Sequence, residues 1–267
     1  MNTSSQTRGF HWFNALVGEA AASDQSGSVV SVTGDLAGAP CQFLLVHRDP
    51  NNHFPRAQQG EVGLLEGIGI AKAINQIIEE DQEASFKRSI IAVVDVPSQA
   101  YGKREEALGI HQALSSAVSA YARARLAGHK VVALLVGKAM SGAFLAHGYQ
   151  ANRIVALNNS GVMVHAMGKA AAARITQRTP EELDILASDI PPMAYDLNSY
   201  ASLGLVDALI DVDNVDDPTN EDVDSVLSHL AVQLESITSP SIARRLQGEN
   251  RECSRKVRNA LREQWSA

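Results

Sequence analysis

The stretch from Val131 to Gly148 reads VVALLVGKAMSGAFLAHG, and the groups in it with a chemistry to offer are backbone N–H donors. Six apolar residues, 131–136, end at Gly137; a turn of small residues follows, then an Ala/Phe/Leu pattern suited to a buried helix. A strand that breaks into a glycine turn and enters a helix points N–H groups at whatever sits above the turn. Donors so placed suit a reaction that passes through an oxyanion or enolate. Ser141, inside the turn, raises a second chemistry, that of a serine nucleophile. Two further segments carry small or polar residues at the end of an apolar run: PSQAYG at 97–102 and VHAMG at 164–168. Strand ends are where sites collect in open α/β sheets. His165 is therefore either a satisfied interior histidine or a group that orients a departing carboxylate or protonates a carbanion. Gln99 and Tyr101, with Ala100 and Gly102 between and beside them, are candidates to line the same pocket. Arg56, in the FPRA loop, is either an exposed arginine or a phosphate or carboxylate ligand.

These segments need elements to hold them. Residues 29–32 and 43–46 are β-branched or apolar runs separated by Gly34, Gly38 and Pro40, a hairpin-like pattern. The run 49–55 (DPNNHFP) is a loop. Apolar residues recur at helical spacing over 61–80, and IIAVVDV at 90–96 reads as a buried strand stopped by Pro97. A helix over 105–127 ends at Gly128. After the 131–136 strand come short strands at 154–157 and 162–164, split by Asn-Asn-Ser-Gly. Strand, helix, strand, helix, strand is the rhythm of an α/β protein with crossover helices. Beyond it, 169–175 is alanine-rich, and Thr179-Pro180-Glu181-Glu182 opens a helix with an N-cap threonine. Residues 207–235 hold nine acidic residues and no Lys or Arg; from Pro240 on, seven basic residues face three glutamates. That basic tail reads as a solvated helix face or as a dock for an acidic partner. The expected organisation is one domain over 1–235 and a basic helical tail over 236–267.

Bulk properties narrow the function. At 267 residues, 45% hydrophobic and 20% charged, the chain has the composition of a soluble globular protein with one sizeable core. A net charge of -7 argues against a nucleic-acid-binding surface. Cys41 and Cys253 lack CxxC spacing, which fits a reducing compartment and offers no zinc site. The apolar stretch 10–22 is interrupted by His11, Asn14 and Glu19, so neither a signal peptide nor a membrane span is expected and the cytoplasm is the expected location. Gly137-Lys138 lacks the rest of a P-loop, Gly67-Ile68-Gly69 lies in a helical pattern, and the eight histidines show no metal-binding spacing. AMSGA imitates the nucleophile elbow GxSxG, but alanine holds both glycine positions.

VDVPSQAYG resembles the VDTPGAYPG-type segment of the alpha subunit of acetyl-CoA carboxylase carboxyltransferase, and GKAMSGAFLAHG is similar to that family's GEGGSGGALAIG turn. The resemblance spans about 90–210 and implies the crotonase-like α/β fold of the Clp/crotonase superfamily, a spiral of ββα units with C-terminal helices. PNNHFPRAQQGEVGLLEG, GVMVHAMGKAAAARIT, PPMAYD and RGFHWFNALVG, taken in order with those two, resemble the gamma subunit of biotin-independent malonate decarboxylase. What that implies is a chain paired with a beta subunit of the same fold. The pair decarboxylates a malonyl thioester on an acyl carrier protein subunit, giving the acetyl carrier protein and CO2. No cofactor or metal is expected on this chain, the thioester-linked prosthetic group belonging to the carrier. By the carboxyltransferase match, the backbone N–H groups of Gly142 and Ala143 form an oxyanion hole, with Gln99, Ala100, Tyr101, Gly102 and Ser141 around the substrate.

Two rivals remain. MSGAFLAHG and VMVHAMG also look like the SMGAFLL and VMIHQP segments of Clp-type serine peptidases, with His165 at the histidine position. That family's serine aligns with Met140, however, and Ser141 falls one residue later. Alternatively the chain is a structural half whose partner carries most of the site. Such a half exposes an apolar partner surface, for which 191–195 (PPMAY) is a candidate.

Overall fold

A computed structural model describes residues 7–18 and 27–266, so part of the 10–22 stretch and the start of the expected first domain lie outside the described residues. Seven strands form one sheet: β1 (Val29–Leu36), β2 (Ala39–Val46), β3 (Ser89–Val96), β4 (Val131–Met140), β5 (Arg153–Leu157), β6 (Met163–His165) and β7 (Ala208–Ile210). Their order is β1-β2-β3-β4-β5-β7, with β6 beside β4. Among the described residues only β1 and β2 are antiparallel. Their hairpin is longer than the 29–32 and 43–46 runs, because the turn is Ala37-Gly38, both at positive φ. Gly34 and Pro40 lie inside the strands instead of breaking them; a Cβ at Gly34 would come within 3.0 Å of the Phe43 ring.

Helices cover both faces of the buried parallel strands. On one, α2 (Leu64–Glu80) packs against α4 (Ile110–Leu126). Gly67 lets them cross closely, since a Cβ there would lie 2.6 Å from the Ala113 carbonyl. Residues 105–127 are not one helix: a short α3 (Lys103–Ala107) stops where Gly109 takes φ 84, and α4 starts afresh. On the other face, α1 (Arg8–Val17) buries Trp12 and Phe13 completely, beside α9 (Asn220–Glu235). After β4 comes α5 (Ser141–Ala146); after β6 come α6 (Lys169–Thr176), α7 (Pro180–Asp189) and α8 (Leu197–Ser202). Thr179 caps α7 in a reciprocal capping box with Glu182, as its spacing predicts. The last helix, α10 (Glu252–Trp265), buries none of its residues. Among the described residues no helix is long and apolar enough to cross a membrane.

Candidate active site

The site turns on how β4 ends. The strand does not stop at Gly137; it runs on to Met140 by changing neighbours. Residues 132–135 pair with β5, whereas Lys138, Ala139 and Met140 pair with Met163, Val164 and His165 of β6. A bulge between the two halves makes this possible, because Val94 faces Leu135 but Val96 faces Ala139. Asp95 pins the bulge. Its Oδ1 accepts from Lys138 N at 3.0 Å and its Oδ2 from Gly9 N at 3.0 Å, tying β4 to the start of α1. Gly137 is there for that approach: a Cβ would sit 2.1 Å from Asp95 Oδ1. The sequence reading missed Asp95, though a single acid inside IIAVVDV was a visible signal.

Directly after Met140 the chain turns a corner and enters α5. Ser141 takes φ 61, a conformation that costs a non-glycine residue about 1 kcal/mol or more. Its hydroxyl makes no hydrogen bond among the described residues, to His165 or to anything else. Gly142, next in line, donates its N–H to Gln99 Oε1 at 3.0 Å. The first N–H groups of a helix have no partner within it, so at this corner a side-chain oxygen supplies one. A Cβ on Gly142 would lie 2.0 Å from that oxygen. Ala143 is fully buried beneath the corner.

Gln99 is held there by the 50–63 loop. Val62 pairs with it as an isolated parallel bridge, Val62 N donating to Ser98 O at 3.0 Å and Ala100 N to Val62 O at 2.8 Å. Beneath this loop the fully buried Glu66 carboxylate accepts from Ser28 Oγ, from Asn52 Nδ2 at 2.7 Å and from Gly63 N at 2.9 Å. Buried Ala100 leaves only its backbone to the site, and Gly102 caps α3. Tyr101, half exposed, turns to Arg56, whose guanidinium lies 4.7 Å from the ring centroid and is ion-paired with Glu61. Arg56 is thus already partnered.

His165 comes to the corner through register alone, opposite Met140. Its ring stacks on Tyr195 at 3.9 Å and 14°. Nδ1 lies 2.7 Å from Met167 O and 3.0 Å from Met167 N, and Tyr195 donates its hydroxyl to the same carbonyl at 2.8 Å. Burial holds the His165 pKa below its ordinary value, which favours the neutral ring. Of the PPMAY segment, residues 191–193 form a short 3-10 turn, Ala194 is buried and Tyr195 stacks on this histidine. The exposed apolar side chains nearby in the chain are Met167, Ile175, Ile185 and Ile190.

A second histidine escaped the sequence reading. His147, wholly buried at the end of α5, donates Nε2–H to Val93 O at 2.9 Å and accepts from the Tyr121 hydroxyl at 3.0 Å. Burial pushes its pKa down to about 4. It bolts α5 to β3 and α4, and so fixes the far side of the corner. No group of three or more His, Cys, Asp or Glu among the described residues could hold a metal ion.

A parallel sheet with an antiparallel leading hairpin, helices on both faces and a donor-bearing corner at a strand end is the architecture of a crotonase-fold protein. A transcarboxylase 12S structure with hydrolysed methylmalonyl-coenzyme A bound shares that fold at TM-score 0.56 and 21% identity, over 77% of this chain and 36% of that one. A family model described as the malonate decarboxylase gamma subunit matches residues 57–265, and the chain belongs to that family. Similar solved structures include a Pseudomonas malonate decarboxylase hetero-tetramer in complex with coenzyme A, at 57% identity and TM-score 0.92 over 97% of this chain and 100% of that one. A Pseudomonas malonate decarboxylase hetero-dimer is 56% identical, TM-score 0.88, with the same coverage. A malonyl-S-ACP:biotin-protein carboxyltransferase of Malonomonas rubra is 38% identical over 164 residues; the chain spans 56% of that curated relative's length.

Proposed function

We propose that this chain is the gamma subunit of a malonate decarboxylase. With a homologous beta subunit it converts malonyl-S-acyl carrier protein to acetyl-S-acyl carrier protein and CO2. Family membership supports the pairing and the substrate, and the Gly142 N–H aimed at an oxygen carries the chemical reading.

When CO2 leaves, the electron pair of the breaking C–C bond moves into the thioester and its carbonyl oxygen becomes an enolate oxygen. The α-carbon is then protonated. Donors that already point at that oxygen stabilise the transition state more than the ground state. At rest the Gln99 amide oxygen stands in for the substrate oxygen at 3.0 Å, within the range such donors use. Substrate binding replaces it, and the Ala143 N–H joins Gly142. Tyr101, Ala100 and Gly102 border the approach on the Gln99 side. His165, neutral, accepts from Met167 N at Nδ1 and so carries its proton on Nε2, which makes no hydrogen bond among the described residues; it offers that proton to the departing carboxylate and gives it to the α-carbon of the enolate, and solvent restores it. The prosthetic arm comes from the carrier. Exposed Ile175, Ile185 and Ile190 suit a partner that completes the site.

Against the peptidase alternative, Met140 holds the aligned nucleophile position and no hydrogen bond joins Ser141 to His165. The test is co-expression with the beta subunit, purification as a complex, and assay of CO2 release from malonyl carrier protein. The pair turns over and this chain alone does not. An inactive pair, or full activity of the isolated chain, would overturn the assignment.

A further inference from the structure

The corner bearing Gly142 lies at the C-terminal ends of the parallel strands. At the opposite end, residues 239–262 fold back across the start of β4 and β5. Asn152 ties them there, its Oδ1 accepting from Val131 N at 2.9 Å and its Nδ2 donating to Ser239 O at 3.2 Å. Between this segment and the end of α4 lies a cleft of about 620 Å³ lined by Arg125, Arg245, Arg251, Arg258 and Arg262. Among the described residues no aspartate or glutamate lines it, and none of the five arginines makes an ion pair. The neighbouring Arg244, by contrast, is paired with Asp207.

Two of the five are nine-tenths buried or more. Arg125 donates to Pro240 O, and Arg245 donates to Tyr149 O at 2.7 Å and to Ala151 O; the Nε of each is buried with no hydrogen-bond partner. Carbonyl acceptors satisfy donors but do not cancel charge. Burial, reinforced by the charges of Arg244, Arg125 and Arg153, pushes the Arg245 pKa down to about 10. Five like charges facing one cavity call for an anion from outside the chain. Guanidinium forks match the oxygens of phosphate, and several are needed only for a ligand with several charges. Leu126, Ile242, Leu246 and the Tyr149 ring add apolar wall, and the volume is that of a small-molecule site.

We propose that this arginine-lined cleft binds an organic polyphosphate of nucleoside-diphosphate size, apart from the reaction centre. The cleft shares no residue with the Gly142 corner, so the ligand is not the decarboxylation substrate.

The probes are ADP and inorganic pyrophosphate, titrated by calorimetry into the purified beta–gamma complex at low salt. Arg245→Gln risks unseating the tail, so the variant of choice is R258Q/R262Q. Both side chains stand on α10, which buries nothing, and their only side-chain hydrogen bond runs from Arg262 to Asn259 at 3.4 Å. Both anions bind the unmodified complex, ADP the more tightly because of the apolar wall. The double variant binds each at least about tenfold more weakly, with an unchanged basal decarboxylation rate. Neither anion binding, or equal binding by the variant, would refute the site. Poly-glutamate binding where ADP and pyrophosphate fail would also refute it, marking the cleft as a dock for an acidic protein.

Discussion

A methyl group added at Gly142 separates a working backbone donor from a merely well-packed glycine. Its φ is negative, so alanine can adopt the local conformation, and the obstacle is Gln99. The new Cβ would lie 2.0 Å from Gln99 Oε1; reaching ordinary contact at 3.4 Å requires a retreat of 1.4 Å. Either the amide swings across the pocket or the corner shifts, and both disturb the 3.0 Å donor geometry. A misplacement of about 1 Å costs on the order of 10²-fold, and loss of one oxyanion donor 10²–10³-fold. Gly142→Ala therefore lowers kcat about 10²-fold. Gln99→Ala alone removes only a resting-state hydrogen bond that substrate displaces, and leaves kcat within about threefold of the parent. In the double variant the methyl still intrudes on the substrate oxygen, because its Cβ lies 2.0 Å from the place where the stand-in Gln99 Oε1 sits. Its kcat therefore stays about 10²-fold below the parent, as low as that of Gly142→Ala alone. The assay is single-turnover CO2 release by the reconstituted complex. A double variant that recovers to within about tenfold of the parent would mean that the methyl acts only by displacing Gln99, and the stand-in role assigned to the amide would be wrong.

Ser141→Ala keeps the corner and leaves decarboxylation within about threefold of the parent, whereas a fluorophosphonate probe that labels Ser141 in the assembled complex would restore the hydrolase reading. Stability should carry the signature of His147, whose buried ring resists protonation. Below pH 6.5 the unfolded chain takes up a proton that the folded chain refuses, so stability falls as pH falls from 6.5 towards 4. The loss amounts to about 2 kcal/mol by pH 5. Urea titrations at pH 7 and pH 5 show that drop for the parent and a smaller one for His147→Asn; equal slopes would exclude His147 as its source.

What could be read from the sequence was what neighbours along the chain decide. The Thr179-Pro180-Glu181-Glu182 cap and the buried run of β3 involve residues within one turn or one strand of each other, and both stand as their patterns predict. Gly137 was misread because a glycine after six apolar residues looks like a terminator. Its actual reason, the Asp95 carboxylate, is 42 residues away in sequence and adjacent only across β3 and β4. Gly109 carried the same ambiguity in reverse, a real break hidden within a long helical pattern. The segment patterns singled out both Gln99 and Gly142, yet their direct hydrogen bond depends on the Val62 bridge that carries the 50–63 loop beneath them. The tail's charge was plain, but charge does not distinguish an arginine that finds a carboxylate, as Arg244 does, from one that finds only carbonyls, as Arg245 does.

These tertiary ties support the proposal that the Gly142 N–H, and not Ser141, is the working part of the corner. A nucleophile elbow holds its serine in strain so that a base can reach the hydroxyl. Here Ser141 carries the strain, at φ 61, while its hydroxyl goes unbonded among the described residues, and the next residue's N–H makes the hydrogen bond to Gln99. Asp95, Gly137 and His147 all brace the backbone on either side of that donor. Preorganisation of this kind suits a reaction in which charge develops on an oxygen, because a donor fixed beforehand requires no reorganisation when it does. The bend at Ser141 is then the conformational cost of turning a strand into a helix within one residue, and any small side chain that tolerates positive φ serves there, glycine best of all.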